Sequence, residues 1–429
     1  MLNVKHHLLL LLVFGSLMPG LSWSVPIAPE GMSLDSIAQA TPPQQQYNKG
    51  LAALSNNDLA TAKTAFQESA KLDPTLYQPF LGMAEVVMKE NQLKEAENWL
   101  QKALQIAPDK AEPLTSWGRF LYSQGRYNEA DTAFKKAISL DANAFIPRLE
   151  LAGLYVDALN KPKDAVPIYR QALSINPNHA GAHYALGIAL AASGEEKEAI
   201  HEFEEASRLA PANPLPWQAL GKLYAGRRQY DQALKSFDGA LKAQPDFSLA
   251  YLGKGDVFSA QGKFQQAIDE YQDVLKLSPK FADAHLQLGM LYQQLERWDD
   301  AEKAYLSAVK DNPKLAVAYN NLAWIAAEQK IKLDTALTRA QKAIELAPAV
   351  SDFQDTLAWV HRARGELDKA ASILEKANAM PLGNASSLYH LGVIYKELGK
   401  PAQARKSLEK ALSLNNKNTE ADRLLKELK

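Results

Sequence analysis

One spacing constrains this chain more than anything else in it, because it recurs about every 34 residues. In "WQALGKLYAGRRQYDQALKSFDGALKAQP" (217–245), Trp217, Leu220 and Tyr224 share one face of a helix, and Ala233, Phe237 and Ala240 share one face of the next. Gly226 punctuates the chain between the two, and Pro245 ends the second because it has no amide hydrogen to donate and cannot follow a helical residue without strain. The unit is a helical hairpin, with Gly221 and Ala233 small enough to let the two backbones approach.

The same template fits Leu186, Gly187, Ala199, Phe203, Ala206 and Pro211 upstream, and Leu288, Gly289, Tyr292, Ala301, Tyr305, Ala308 and Pro313 downstream. It extends back through Trp117, Gly118 and Phe134 to a weaker copy at Gly50, Ala62, Phe66 and Pro74, and forward to Leu391, Gly392, Tyr395, Ala404, Leu408 and Ala411. Eleven copies result: 43–76, 77–110, 111–144, 145–179, 180–213, 214–247, 248–281, 282–315, 316–350, 351–384 and 385–418. Two carry an extra residue between their helices, in "DALNKPK" (157–163) and "EQKIKLD" (328–334). A chain of 429 residues built this way needs no single large core, since each hairpin buries its stripe only against its neighbours. "TEADRLLKELK" (419–429) reads as the helix that caps the stack, with Thr419 as N-cap, Leu424, Leu425 and Leu428 inward and charged residues outward. The repeats fill the chain, which leaves no stretch for a separate catalytic domain.

The pattern W-x2-L-G-x2-Y, then A-x3-F, then P resembles the signature of the tetratricopeptide repeat family. That resemblance implies an all-α, right-handed α-solenoid superhelix whose first helices line a concave groove that binds an extended or helical peptide. Carried over position by position, it assigns Tyr184 and Ile188, Leu215 and Lys222, Leu252 and Asp256, Leu286 and Met290, Asn320 and Trp324, Asp355 and Trp359, and Tyr389 and Val393 to the groove wall. A contiguous patch of Tyr184, Ile188, Leu252, Leu286, Met290 and Trp324 would call for an apolar or amphipathic protein partner. "LAW" occurs twice in one register, ending at Trp324 and Trp359; the two rings are either partner anchors or are covered by the next repeat. The lysine and asparagine clamp that holds a carboxylate terminus in some relatives is replaced by Leu, Gln, Asp and Tyr.

At the N-terminus, "MLNVKHHLLLLLVFGSLMPGLSWS" (1–24) pairs a basic start with an apolar run and small residues, the layout of a secretory signal peptide, either cleaved after Ser24 or retained as an anchor. Residues 25–42 lack a sustained period and read as a flexible leader. With no cysteine there is neither a disulfide nor a lipid-modified cysteine, so the expected location is the bacterial periplasm, with secretion as the alternative. No later segment is apolar enough to span a membrane.

Charge and motifs exclude several classes. Without residues 1–24 the chain has 47 basic and 49 acidic side chains and no basic stripe, which argues against nucleic acid. His179 and His183 have zinc-like spacing but no third ligand at a matching position, and His183 shares its register with Trp217 and His285, which marks it as packing. No phosphate loop, nucleophile elbow or acid/base pair is present, so no enzyme activity and no cofactor or metal is implied. "NNLAWIAAEQKIKLDTALTRAQKAIELAP" resembles repeats of bacterial exopolysaccharide and cell-surface assembly proteins, although many of those are lipoproteins and this chain has no cysteine. The sequence therefore points to a non-catalytic envelope scaffold, or alternatively to an acceptor-recruiting subunit of an envelope glycosyltransferase system.

Overall fold

A computed structural model describes residues 40–378 and 384–428; the expected signal peptide and the leader up to residue 39 lie outside them. Among the described residues all regular structure is α-helical, with 23 helices and no strand, the α-solenoid class anticipated from the period. Two compact units divide the chain, the division falling at Tyr224.

Residues 40–223 hold α1 (Pro42–Ser55), α2 (Leu59–Leu72), α3 (Gln78–Lys89), α4 (Leu93–Ile106), α5 (Ala111–Ser123), α6 (Tyr127–Leu140), α7 (Phe145–Asp157), α8 (Pro162–Ile175), α9 (Ala180–Ser193), α10 (Glu196–Leu209) and most of α11 (Pro214–Gly226). Residues 224–428 hold the end of α11, then α12 (Tyr230–Ala243), α13 (Ser248–Ala260), α14 (Phe264–Leu277), α15 (Ala282–Gln294), α16 (Trp298–Asp311), α17 (Ala316–Glu328), α18 (Leu333–Leu346), α19 (Ser351–Ala363), α20 (Leu367–Asn378), α21 (Ala385–Glu397), α22 (Pro401–Leu414) and α23 (Thr419–Glu427). Within each unit a first helix packs on the second helix of its own hairpin, and that second helix packs on the next first helix. First helices also touch one another, as α1 touches α3 and α17 touches α19.

The stripe residues explain this packing. Ala62, Phe66, Ala130, Phe134, Ala199 and Phe203 are fully buried or nearly so on the second helices of the first unit, and Ala267, Tyr271, Ala301 and Tyr305 are their counterparts in the second unit. Each large ring lies against a glycine of its own first helix: a Cβ on Gly187 would come 2.6 Å from the Phe203 ring, and one on Gly118 would come 2.5 Å from Phe134. Alanine and glycine bring the backbones together, and the ring fills the space beside them at interior density. Where tyrosine replaces phenylalanine the phenol finds a partner, Tyr271 donating to Asp256 at 2.7 Å and Tyr305 to Gln293 at 2.8 Å.

The turns inside the hairpins place one residue in the left-handed region, as Gly125, Gly194, Gly262, Gly365 and Gly399 do, while Arg228 and Glu296 hold the same conformation with a side chain. Residues 158–161 and 329–332 form the two longer turns. The last helix begins one residue differently from the sequence reading. Asn418, not Thr419, is the N-cap of α23, its side chain accepting from the Ala421 amide at 3.0 Å, and Thr419 is already helical. Ala421 is buried and Leu428 packs on the cluster around Leu391 and Leu374, while Leu424 and Leu425 are half-buried.

Candidate functional site

In residues 224–428 the first helices α17, α19 and α21 build an aromatic ladder. Trp324 on α17 stacks on Trp359 of α19, ring centres 5.6 Å apart and planes 11° from parallel. His390 of α21 closes the stack, 4.3 Å from Trp359 and 5.5 Å from Trp324, and Tyr389 sits 5.4 Å from His390. Polar groups fix the two inner members. Asp355 holds His390 Nδ1 at 2.7 Å, the Trp359 indole donates to Glu328, and the Arg362 guanidinium lies 4.2 Å over the Trp359 ring while Glu397 pins it at 2.5 Å. Trp359 and His390 are 9% and 7% exposed, whereas Trp324 is half-buried and keeps part of its ring open. The ladder is therefore a buried platform supporting one accessible indole.

Three residues expected on an open wall are covered instead. Trp359 lies under His390 and Arg362, Asp355 is turned to His390, and Asn320, 8% exposed, sits beside Asn321 with its side-chain oxygen unpaired. His390, on the following first helix, covers both Trp359 and Asp355, and Arg362 adds to the cover of Trp359 from its own helix. The remaining positions of this unit vary. Leu252 and Leu286 are half-buried against the core around Tyr271 and Tyr305, Asp256 is exposed but serves Tyr271, Val393 leans on the Trp359 cluster, and Tyr389 is half-buried. Met290, 42% exposed, is more open to solvent than the other large apolar side chains of the expected patch, of which Trp324 is half-buried.

In residues 40–223, Tyr184 packs its ring on Phe203 at 5.6 Å, and burial pushes its phenol up to about 12. Ile188, Leu215 and Lys222 are half-buried. His183 is a structural residue, one ring nitrogen 2.6 Å from Glu202 and the other 2.9 Å from the Pro177 carbonyl; His179 caps α9 by accepting from Ala182.

A second constellation in this unit was not singled out by sequence reading. Tyr47 on α1, Tyr77 just before α3, Glu85 on α3 and Glu112 on α5 converge across three first helices. Tyr77 donates to Glu112 at 2.8 Å, and burial together with Glu112 and Glu85 pushes the Tyr47 phenol far above its usual range. Glu85 is 5% exposed and makes neither a hydrogen bond nor an ion pair. Burial pushes its carboxyl up to about 7, against the opposing pull of Lys89 and Arg119. Its register gave a signal, since Glu85 and Ile188 hold the same place in their copies, but its isolation depends on side-chain geometry.

Sequence models described as tetratricopeptide repeat match residues 53–114, 158–223 and 258–325, with further models of that description matching 219–285, 114–143, 385–418 and 353–376. No curated protein matches the chain. Among solved structures, the Cut9-Hcn1 hetero-tetramer of the APC/C is 16% identical over 92% of this chain and 99% of that one, with a TM-score of 0.49. Yeast Tom70 is 16% identical over 90% and 94%, TM-score 0.44, and a tetratricopeptide repeat protein from Parabacteroides merdae is 20% identical over 58% and 98%, TM-score 0.46.

Proposed function

The chain belongs to the tetratricopeptide repeat family, and from that premise we propose that it is a non-catalytic scaffold that binds a segment of a partner protein along its first helices. The observation that carries this reading is the half-open Trp324 indole held rigid by buried Trp359 and His390. An aromatic ring fixed before the partner arrives spends little rotamer entropy on binding, which is the usual character of an anchor residue. The apolar Trp324 face together with exposed Met290 favours an amphipathic segment over a uniformly charged one. We place the protein in the bacterial envelope, serving assembly of surface polymers or machines; the support is the pattern of residues 1–24 and the absence of cysteine. Among the described residues no helix is long and apolar enough to cross a membrane.

A photocrosslinking amino acid at exposed position 290 in the full-length chain, which leaves the Trp324 indole in place, irradiated in intact source cells, tests the scaffold. One discrete adduct, reduced by Trp359→Ala, is the expected result. No adduct, or turnover of an activated sugar by the purified chain, overturns it. N-terminal sequencing of the fractionated native protein tests export: a mature end near residue 25 in the periplasmic fraction is expected, and an intact Met1 in cytosol refutes it.

A further inference from the structure

Glu85 is a buried carboxylate without a counter-ion, and that is expensive: an acid removed from water is normally paired, hydrogen-bonded or replaced. The side chains around it are known. Lys89, one turn further along α3, and Arg119 on α5 act on it at long range without forming an ion pair. Arg119 is committed to Glu150, 2.6 Å away. Glu112 is occupied by Tyr77, and Tyr47 lies within electrostatic reach of both Glu112 and Glu85. Neither Glu85 oxygen is among the sealed unpaired atoms of the protein, so the small exposed remainder of the side chain is at the carboxylate itself. An unpaired acid at the edge of solvent, with Tyr47 in electrostatic reach and the nearest arginine already engaged, is complementary to a single cation supplied from outside.

We infer that Glu85, with Tyr47, Tyr77 and Glu112 around it, receives one lysine or arginine side chain of the partner segment. The ammonium or guanidinium pairs with Glu85, and the apolar stem lies along the surface beside it. A divalent metal is the poorer fit, because it needs several oxygen ligands and only one unengaged carboxylate is present; no group of three metal-ligating side chains occurs among the described residues. This inference rests on the scaffold reading and adds the charge of one partner residue to it. It also gives the unpaired acid a purpose that stability alone does not.

The test uses the full-length chain and a random dodecapeptide display library as the probe, selected at pH 8 on wild type and on Glu85→Gln. Wild type is expected to enrich peptides sharing a lysine or arginine at one fixed position, and Glu85→Gln is expected to enrich peptides without that preference while melting no lower than wild type. The selected peptide, resynthesised, should bind wild type about tenfold more weakly at pH 6 than at pH 8, the change in carboxylate fraction for a group titrating near 7, and this dependence should vanish in Glu85→Gln. Enriched peptides with no shared basic residue, or the same preference in Glu85→Gln, overturn the pairing and leave the scaffold standing. If neither protein enriches any peptide, pairing and scaffold fall together.

Discussion

Glu85 also makes the sharpest stability prediction, because its penalty has a definite sign and pH window. Holding a carboxyl at about 7 instead of its ordinary 4.5 corresponds to roughly 3 kcal/mol against the charged form, at about 1.36 kcal/mol per pH unit. Between those values the folded protein binds the proton and the unfolded chain does not. This group therefore supports the fold fully below pH 4.5, and its contribution is lost as pH rises to about 7 and beyond. Other carboxylates raised by burial, Asp157, Glu270, Asp283 and Asp352, titrate in the same direction, so the wild-type curve alone mixes several groups. Subtracting the Glu85→Gln curve removes them.

Urea unfolding at pH 4.5, 6, 7 and 8, followed by amide exchange in α1 to α5 because repeat arrays do not unfold as one unit, is the appropriate assay. The difference between mutant and wild type should change by about 3 kcal/mol across that range, in favour of the mutant at high pH. A buried amide left unpaired carries its own cost of about 1–3 kcal/mol, but that cost does not vary with pH. Parallel curves for the two proteins, or a Glu85 carboxyl resonance in a labelled sample titrating near 4.5, would refute the assignment of Glu85 as an unpaired buried acid.

Gly187→Ala should destabilise the first unit by about 1–3 kcal/mol, since the new Cβ lands 2.6 Å from the buried Phe203 ring and overrides the gain in helix propensity; thermal melting followed by exchange in α9 and α10 reads it. Trp359→Ala should cost about 3–5 kcal/mol in the second unit by emptying the space under His390, whereas Trp324→Ala should cost clearly less and impair partner capture; similar melting losses for both would contradict the division into platform and anchor. Arg228→Gly and Glu296→Gly should each gain about 0.5 kcal/mol by relieving a left-handed backbone, as chemical denaturation would show.

The fold was legible because its causes are local and repeated. Ala62, Ala130 and Ala199 had to be small and Phe66, Phe134 and Phe203 large for neighbouring helices to meet, and a composition rule obeyed every 34 residues or so is visible without coordinates. The binding face was less legible because its positions, though equally periodic, are finished by whichever residue the next repeat supplies. Trp324 and Trp359 occupy one register and read alike, yet His390 and Arg362 roof the second, while Trp324 keeps part of its ring open. Glu85 makes the same point with charge. Arg119 lies 34 residues on, in the same register, and would be its natural partner on sequence grounds. In a stack of similar helices, however, each cation has an acid on either side to choose from, and Arg119 turns to Glu150. Glu85 is the charge of this row left without a partner, and it is also deeply removed from water. Closing that row from outside takes one positive charge, so the partner's sequence, when found, is expected to carry it at a fixed distance from the residue that meets Tyr47.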